Sequence, residues 1–319
     1  MKSELRQIGI EEVLAAREAI GDRLHHTPTF SSAQLSELTG ANVLLKAELF
    51  QRTGSFKARG ALNRIRALGP AERERGVISV SAGNHAQAVA WAAAAEGTDA
   101  LLVRWQGASS AKIEATRGYG AEIDLEAPGP GAAFERLHEL EEQTGRVFVH
   151  PFDDPIVVAG AGTVGLEILE DVPGVDTVVV ACGGGGLVSG IASACVPAGV
   201  RVVAVEPERS NALALGLEAG EPVHMTPETI ADALTAPFAG RLAIETCRLL
   251  GVEVVLVTEE EIRSAFRFLY GRAKLAAEPG GAAAVAAVLA GKVDGDSVVS
   301  VVSGGNVSTD IASAILARP

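Results

Sequence analysis

Short runs of consecutive apolar residues, rich in valine, recur along the chain and are separated by longer stretches of helical character. The runs at 43–47, 77–80, 100–103, 121–124, 147–149, 177–181, 201–206, 253–257 and 297–302 predict strands. Among the helices between them are one at 132–143 and one opened by Thr258 with Glu261 in its first turn, the pattern of a capping box. Strands alternating with helices predict an α/β protein whose parallel sheet is covered by helices. In open sheets of this kind ligands bind beyond the C-terminal ends of the strands, and Ser81, Gly183 and Ser303 stand at such ends.

Each of those ends carries chemistry. Ser81-Ala82-Gly83-Asn84-His85 follows the run at 77–80 and leads into an alanine-rich helix. It reads as a tight turn whose free N–H groups, with the Ser81 and Asn84 side chains, face a helix N-terminus, where a carboxylate is favoured. An ordinary turn with Asn84 as the helix cap is the alternative. Cys182-Gly183-Gly184-Gly185-Gly186-Leu187 follows the run at 177–181. Consecutive glycines leave no side chain between the backbone amides and an approaching group, and the helix opening at Leu187 adds its dipole, which together make a phosphate cradle. No register gives G-x-G-x-x-G, because Val188 and Ser189 stand where the last glycine is required, and no Lys-Ser/Thr follows as in a P-loop. A compact phosphate monoester fits better than a dinucleotide or a nucleoside triphosphate. The last run ends in Ser303-Gly304-Gly305-Asn306, also readable as a plain strand and loop.

Lys57, in Thr53-Gly54-Ser55-Phe56-Lys57-Ala58-Arg59-Gly60, falls among small residues in what reads as the first turn of a helix. Either it faces water, or it is held in an apolar place that lowers its pKa, as Schiff-base chemistry needs. One activated amine, one carboxylate-binding turn, one phosphate loop and one strand-end hydroxyl together meet the needs of a pyridoxal phosphate enzyme.

At 319 residues and 48% apolar composition the chain can fill one large or two modest domains. No run approaches the roughly 18 apolar residues of a membrane span, and no apolar signal region follows the start, so a cytoplasmic protein without a membrane partner is expected. The net charge of −13, with no basic run, argues against nucleic acid. It also leaves an anionic substrate to be drawn in by local dipoles. Cys182, Cys195 and Cys247 lie in apolar surroundings without zinc spacing, and buried free thiols are expected.

With these motifs the chain resembles the fold type II pyridoxal phosphate enzymes, in the branch of threonine and serine dehydratases and serine racemases. The resemblance rests on Thr27-Pro28 with Leu35-Ser36, residues 48–63, residues 81–87, Ala115-Thr116-Arg117 with Tyr119-Gly120-Ala121-Glu122, His150-Pro151-Phe152-Asp153-Asp154-Pro155, residues 160–167 and 183–187, Glu278-Pro279 and residues 303–306. Their order runs along nearly the whole chain. It implies a two-domain α/β fold, tryptophan synthase β-like, in which a small domain at 48–146 interrupts a large cofactor-binding domain made of 1–47 and 147–319. No appended regulatory domain is expected in this chain, and a homo-oligomer, dimer or tetramer, is.

The same resemblance implies pyridoxal 5′-phosphate joined to Lys57, which also serves as the base for the α-proton. Phe56 would pack against the ring, Asn84 would bond its 3-hydroxyl, and Gly183, Gly184, Gly185, Gly186 and Leu187 would hold its phosphate. Ser303 would face the pyridine nitrogen, with Glu278 also among the cofactor's neighbours. A serine there does not hold that nitrogen protonated, so the ring is a weaker electron sink and β-hydroxyl expulsion competes well. Ser81, Ala82, Asn84 and His85 would receive the substrate carboxylate, a structural role for His85 being the alternative.

Several positions depart from the family pattern. Ala82 replaces the serine that serves racemases as acid and base on the opposite face. Glu206 matches one residue of that branch's divalent-metal site, but Ala212 stands where an aspartate is expected. Ala233 replaces a glycine, and Arg104-Trp105 replaces Met-Pro. The implied activity is an ammonia-lyase acting on L-threonine and L-serine. Alternatives are a dehydratase of hydroxyaspartate or phenylserine, a serine racemase, a β-replacement synthase, and a catalytically silent ligand-binding relative.

Overall fold

A computed structural model describes residues 8–81, 83–105 and 110–317. Its strands are β1 (Thr29–Ser31), β2 (Asn42–Lys46), β3 (Val77–Val80), β4 (Ala100–Trp105), β5 (Glu122–Ala127), β6 (Val147–Phe148), β7 (Thr177–Ala181), β8 (Arg201–Pro207), β9 (Glu253–Val257) and β10 (Ser297–Val301). They form a six-stranded sheet ordered β1-β2-β10-β7-β8-β9 and a four-stranded sheet ordered β5-β4-β3-β6. All neighbours are parallel except β1, which runs antiparallel to β2.

Parallel strands are covered on both faces, and the valine runs reflect this. In the larger sheet Val179, Val205 and Val298 point to one side, where the helix Pro279–Leu289 lays down Ala282, Ala283 and Ala286. Val178, Val180, Val202 and Val299 point to the other, against the helices Pro155–Asp171 and Gly186–Cys195. Each such side chain, fully buried, contributes roughly 1.5–3 kcal/mol relative to an exposed one. The four-stranded sheet repeats the arrangement, with Val77 and Leu102 facing the helix Asn84–Glu96 and Ile78 and Val103 facing Leu137.

The chain starts in the large sheet, leaves after β2, builds the small sheet, and returns after β6. β6 corrects the expected boundary at 146/147. Val147 N donates to Gly76 O at 2.9 Å and Val149 N to Ile78 O at 2.9 Å, so this segment extends the ladder of β3 and belongs with the small sheet. The return crossing therefore lies at 150–154. β1 has no counterpart in the sequence reading: three residues, one half-buried and two exposed, carry no readable period.

Two contacts seat the helix Lys57–Arg66 between the sheets. A Cβ on Gly160 would lie 2.7 Å from Arg59 O and 2.9 Å from Gly60 Cα, so this helix and Pro155–Asp171 meet backbone to backbone. Beneath them a buried ionic cluster ties β2 to both helices. Arg59 bonds Glu48 at 2.7 Å and Glu167 at 2.6 Å, and Lys46 bonds Glu167 at 2.8 Å and Asp171 at 2.9 Å. Burial alone would lower the Arg59 pKa, but the carboxylates of Glu48 and Glu167 hold it above the ordinary arginine value. No helix among the described residues is long and apolar enough to cross a membrane. The three cysteines are buried and free.

Candidate active site

Lys57 opens its helix, immediately after an entry fixed to the end of β10. Ser55 forms a β-bridge with Gly304, and Phe56 N donates to Ser303 O at 3.1 Å. Just before them Thr53 and Gly54 both have left-handed backbones, φ 61° and 74°. For a β-branched threonine this is a strained conformation. The Lys57 side chain reaches across to the return crossing, where Nζ donates to Pro151 O at 2.6 Å, and it passes 5.1 Å from the centre of the Phe56 ring. Burial lowers the amine to about 8.

The glycine run lies at the end of β7, and the helix behind it begins at Gly186, one residue earlier than expected. Close packing explains the residue type. A Cβ on Gly184 would collide with the Phe152 ring, and one on Gly185, whose φ is +91°, with Ala243 Cβ. The N–H groups of Gly183, Gly184, Gly186 and Leu187 make no hydrogen bond to another described residue. Unclaimed amides at a helix N-terminus, in a loop that excludes side chains, suit a phosphate.

At the end of β3, Ser81 Oγ accepts from Gly83 N at 3.0 Å. Ala82 lies outside the described residues. The helix cap is Gly83, so Asn84 is the first helical residue and not the cap. Its side chain is turned outward from the helix, Nδ2 donating to the Glu278 carboxylate and Oδ1 accepting from Asn306 Nδ2 at 2.9 Å. His85 is 3% exposed, and its Nε2 sits 3.1 Å from Val149 O. Burial, and then the nearby Lys57 charge, lower its pKa to about 3. A neutral ring turned to a backbone carbonyl offers no charge to a carboxylate, which supports the structural alternative for His85.

Ser303 is nearly buried at the end of β10, beside Gly304. A Cβ on Gly304 would collide with Glu278 Oε1 and stand 3.2 Å from Asn84 Nδ2. Glu278 donates its own N–H to Gly304 O at 3.0 Å and caps the helix Pro279–Leu289. Lys57, Phe56, Asn84, Glu278 and Ser303 are thus joined through hydrogen bonds or chain adjacency. The glycine run is joined to the same group through the return crossing: a Cβ on Gly184 would collide with the Phe152 ring, next to the Pro151 carbonyl that accepts from Lys57.

Glu206 is not arranged as a metal ligand. Its two carboxylate oxygens accept from Leu213 N at 2.8 Å and Ala214 N at 2.9 Å, in the first turn of the helix Ala212–Ala219. Burial raises it to about 7 against the pull of those two donors. Arg104 is buried at the end of β4, where burial lowers it to about 10, and nothing in the structure explains an arginine there.

Three participants escaped the sequence reading as individuals. Pro151 supplies the acceptor for Lys57. His150, whose Nδ1 accepts from Asp153 N at 2.8 Å, is lowered to about 4 by burial, with Asp153 and Asp154 pulling the other way. Asn306 bonds both Asn84 and Thr53.

Residues 20–304 match the model of the family described as pyridoxal-phosphate dependent enzyme. The chain belongs to this family. It is 44% identical to the L-threonine ammonia-lyase of Thermotoga maritima, over 97% of this chain and 78% of that one. With the catabolic L-threonine dehydratase of Escherichia coli K12 the identity is 40%, over 97% and 96%. Among solved structures, maize serine racemase superposes with a TM-score of 0.92 at 35% identity, covering 96% of this chain and 95% of that one. The processed form of threonine deaminase isoform 2 from Solanum lycopersicum gives 0.91 at 30%, covering 98% and 96%. The cofactor of this pyridoxal-phosphate dependent enzyme fits the residues present: a glycine loop with unclaimed amides packs on Phe152, and the neighbouring Pro151 carbonyl holds a lysine of lowered pKa.

Proposed function

We propose that this protein removes the β-hydroxyl and the amino group of L-threonine and L-serine, giving the 2-oxo acid and ammonia. The observation that carries the reading is the Lys57 amine, brought to about 8 by burial and held by Pro151 O, between the Phe152 that packs on the glycine run and the Phe56 bonded to Ser303. When bound through Lys57, pyridoxal 5′-phosphate supplies the sink for the electron pair left behind as the α-proton departs.

The chain's own residues do the rest. Lys57 would take the α-proton at Nζ, for which a pKa near the working pH is suited. Gly183, Gly184, Gly186 and Leu187 offer N–H groups to the phosphate, and Phe56 lies alongside the amine as a wall for the ring. Ser81 and the N-terminus of the Asn84 helix receive the substrate carboxylate. Asn84 bonds the cofactor's 3-hydroxyl. Ser303 presents a neutral hydroxyl to the pyridine nitrogen, which favours expulsion of the β-hydroxyl over prolonged carbanion chemistry. Racemisation also needs a donor on the opposite face, and the methyl group of Ala82 supplies none.

We further place the protein in the cytoplasm as a homo-oligomer. Buried free thiols suit a reducing compartment, and sedimentation of the purified protein tests the assembly.

A substrate panel read by ammonia release tests the activity, and borohydride reduction followed by peptide mapping tests the residue. L-threonine and L-serine should release ammonia with the matching oxo acid, and the label should fall on Lys57. Lys57→Ala should lose the visible cofactor band and essentially all turnover. A label on another lysine overturns the assignment, and no release from either amino acid overturns the activity.

A further inference from the structure

Four residues far apart in sequence form a single polar chain beside the bridge of Ser55 and Gly304. Asn306 Nδ2 donates to Thr53 O at 2.7 Å and to Asn84 Oδ1 at 2.9 Å, and Asn84 Nδ2 donates to Glu278. Both ends of the chain accept only: a backbone carbonyl at Thr53 and a carboxylate at Glu278. That settles the direction of every link. Thr53 O requires the amide nitrogen of Asn306 on its side, the second hydrogen of that nitrogen requires the oxygen of Asn84, and Asn84 must then turn its nitrogen to Glu278. One of the two Asn84 N–H hydrogens remains without an acceptor among the described residues.

We propose that Asn306 is a positioning residue that fixes which way round the Asn84 amide sits, so that Asn84 keeps a donor, and not an acceptor, for the cofactor's 3-hydroxyl. The proposal rests on the reading of Asn84 given above. A reversed Asn84 amide would set its oxygen against the Glu278 carboxylate and its nitrogen against the Asn306 nitrogen, two unfavourable contacts in place of two hydrogen bonds. The same Asn306 side chain also reaches the left-handed turn: its Oδ1 lies 2.5 Å from where a Cβ on Gly54 would be, and its nitrogen bonds Thr53 O, three residues before Phe56. A donor facing the 3-hydroxyl stabilises that oxygen as an anion, and the visible absorbance of the bound cofactor reports on it.

Asn306→Asp tests this at nearly constant volume, since it turns the central donor into an acceptor. The measurements are the visible spectrum of the cofactor-loaded protein as a function of pH, and cofactor Kd by titration of the apo protein. Asn84→Ala should shift the band and its pH dependence. Asn306→Asp should shift them in the same direction and raise Kd about tenfold, the effect of losing one hydrogen bond to a charged group. In the Asn84→Ala background, Asn306→Asp should move the band no further. Thr53→Gly, which relaxes the strained turn and leaves both Asn306 bonds in place, should keep the wild-type band. If Asn306→Asp folds poorly, Asn306→Ala, which removes the donors without adding charge, should give the same spectral shift. A wild-type band in the Asn306 variants, with the band of Asn84→Ala shifted, overturns the proposal alone. A wild-type band in Asn84→Ala overturns the reading of Asn84 and the proposal with it. A shift in Thr53→Gly as large as that in Asn306→Asp assigns the effect to the turn and also overturns it.

Discussion

Phe56 and Ser303 are joined backbone to backbone, N–H to carbonyl at 3.1 Å, although 247 positions separate them. The residue before the amine and the residue assigned above to the pyridine nitrogen are therefore joined through their backbones. The β-bridge at Ser55 and Gly304 fixes the two segments that carry the amine and the hydroxyl.

Ser303→Asp should change the course of the reaction more than the binding of the cofactor. A carboxylate opposite the pyridine nitrogen favours its protonated form and deepens the electron sink, so α-proton exchange should gain on β-elimination. The ratio of ammonia release to solvent-deuterium incorporation should fall. An unchanged ratio shows that Ser303 is not the partner of that nitrogen.

Cofactor uptake by the apo protein should follow the neutral form of Lys57. With the amine at about 8, the rate of imine formation should rise with pH through that value and then level off. The sign for stability is the same. Between about 8 and the ordinary lysine value near 10.5 the unfolded chain binds more protons than the folded one, so the contribution of Lys57 to apo stability rises with pH across that window. Stopped-flow uptake measured against pH checks this; a rate that keeps climbing toward the ordinary lysine value contradicts a lowered pKa.

Ala82→Ser should raise the yield of D-serine from L-serine, because it restores a proton donor on the face opposite Lys57. The wild type should give pyruvate and ammonia with little D-serine. Chiral analysis of the products decides, and D-serine formed by the wild type as fast as pyruvate refutes the distinction.

Arg59→Ala should be strongly destabilising, by about 3–5 kcal/mol, because it leaves the buried carboxylates of Glu48 and Glu167 without their shared cation. Arg59→Lys should lie between, since an ammonium cannot reproduce the forked contacts to both partners. Denaturant midpoints of the three proteins measure the order, and a midpoint for Arg59→Lys equal to that of the wild type contradicts the role of the fork.

The strands were readable wherever burial on both faces leaves an unbroken apolar run, as at Val178, Val179 and Val180, and the helix after Thr258 was readable from its capping box, which the structure contains. β6 was found as a strand but assigned to the wrong sheet, since composition records burial and not the neighbour that causes it. Lys57 and the glycine run stand out in the sequence because glycine and lysine are conspicuous in apolar surroundings. Asn306 and Pro151 were not: an ordinary amide and a backbone carbonyl acquire a role only through partners at Thr53, Asn84 and Lys57, which no local pattern reveals. The part Glu206 plays at the helix Ala212–Ala219 was not legible, because a carboxylate after a strand serves a helix N-terminus as readily as it serves a metal.

The two passages between the sheets are bonded where Arg64 meets Asp154 at 3.0 Å and again at the amine. Lys57 belongs to the outgoing passage and Pro151 to the returning one, and the 2.6 Å contact between Nζ and the Pro151 carbonyl closes the circuit. Any swing of one sheet against the other must lengthen or shorten that contact. A change of posture between the two halves of the molecule is thus felt at the amine to which the chemistry is assigned above, and a change at the amine, such as its capture in a covalent link, releases one tether between the halves.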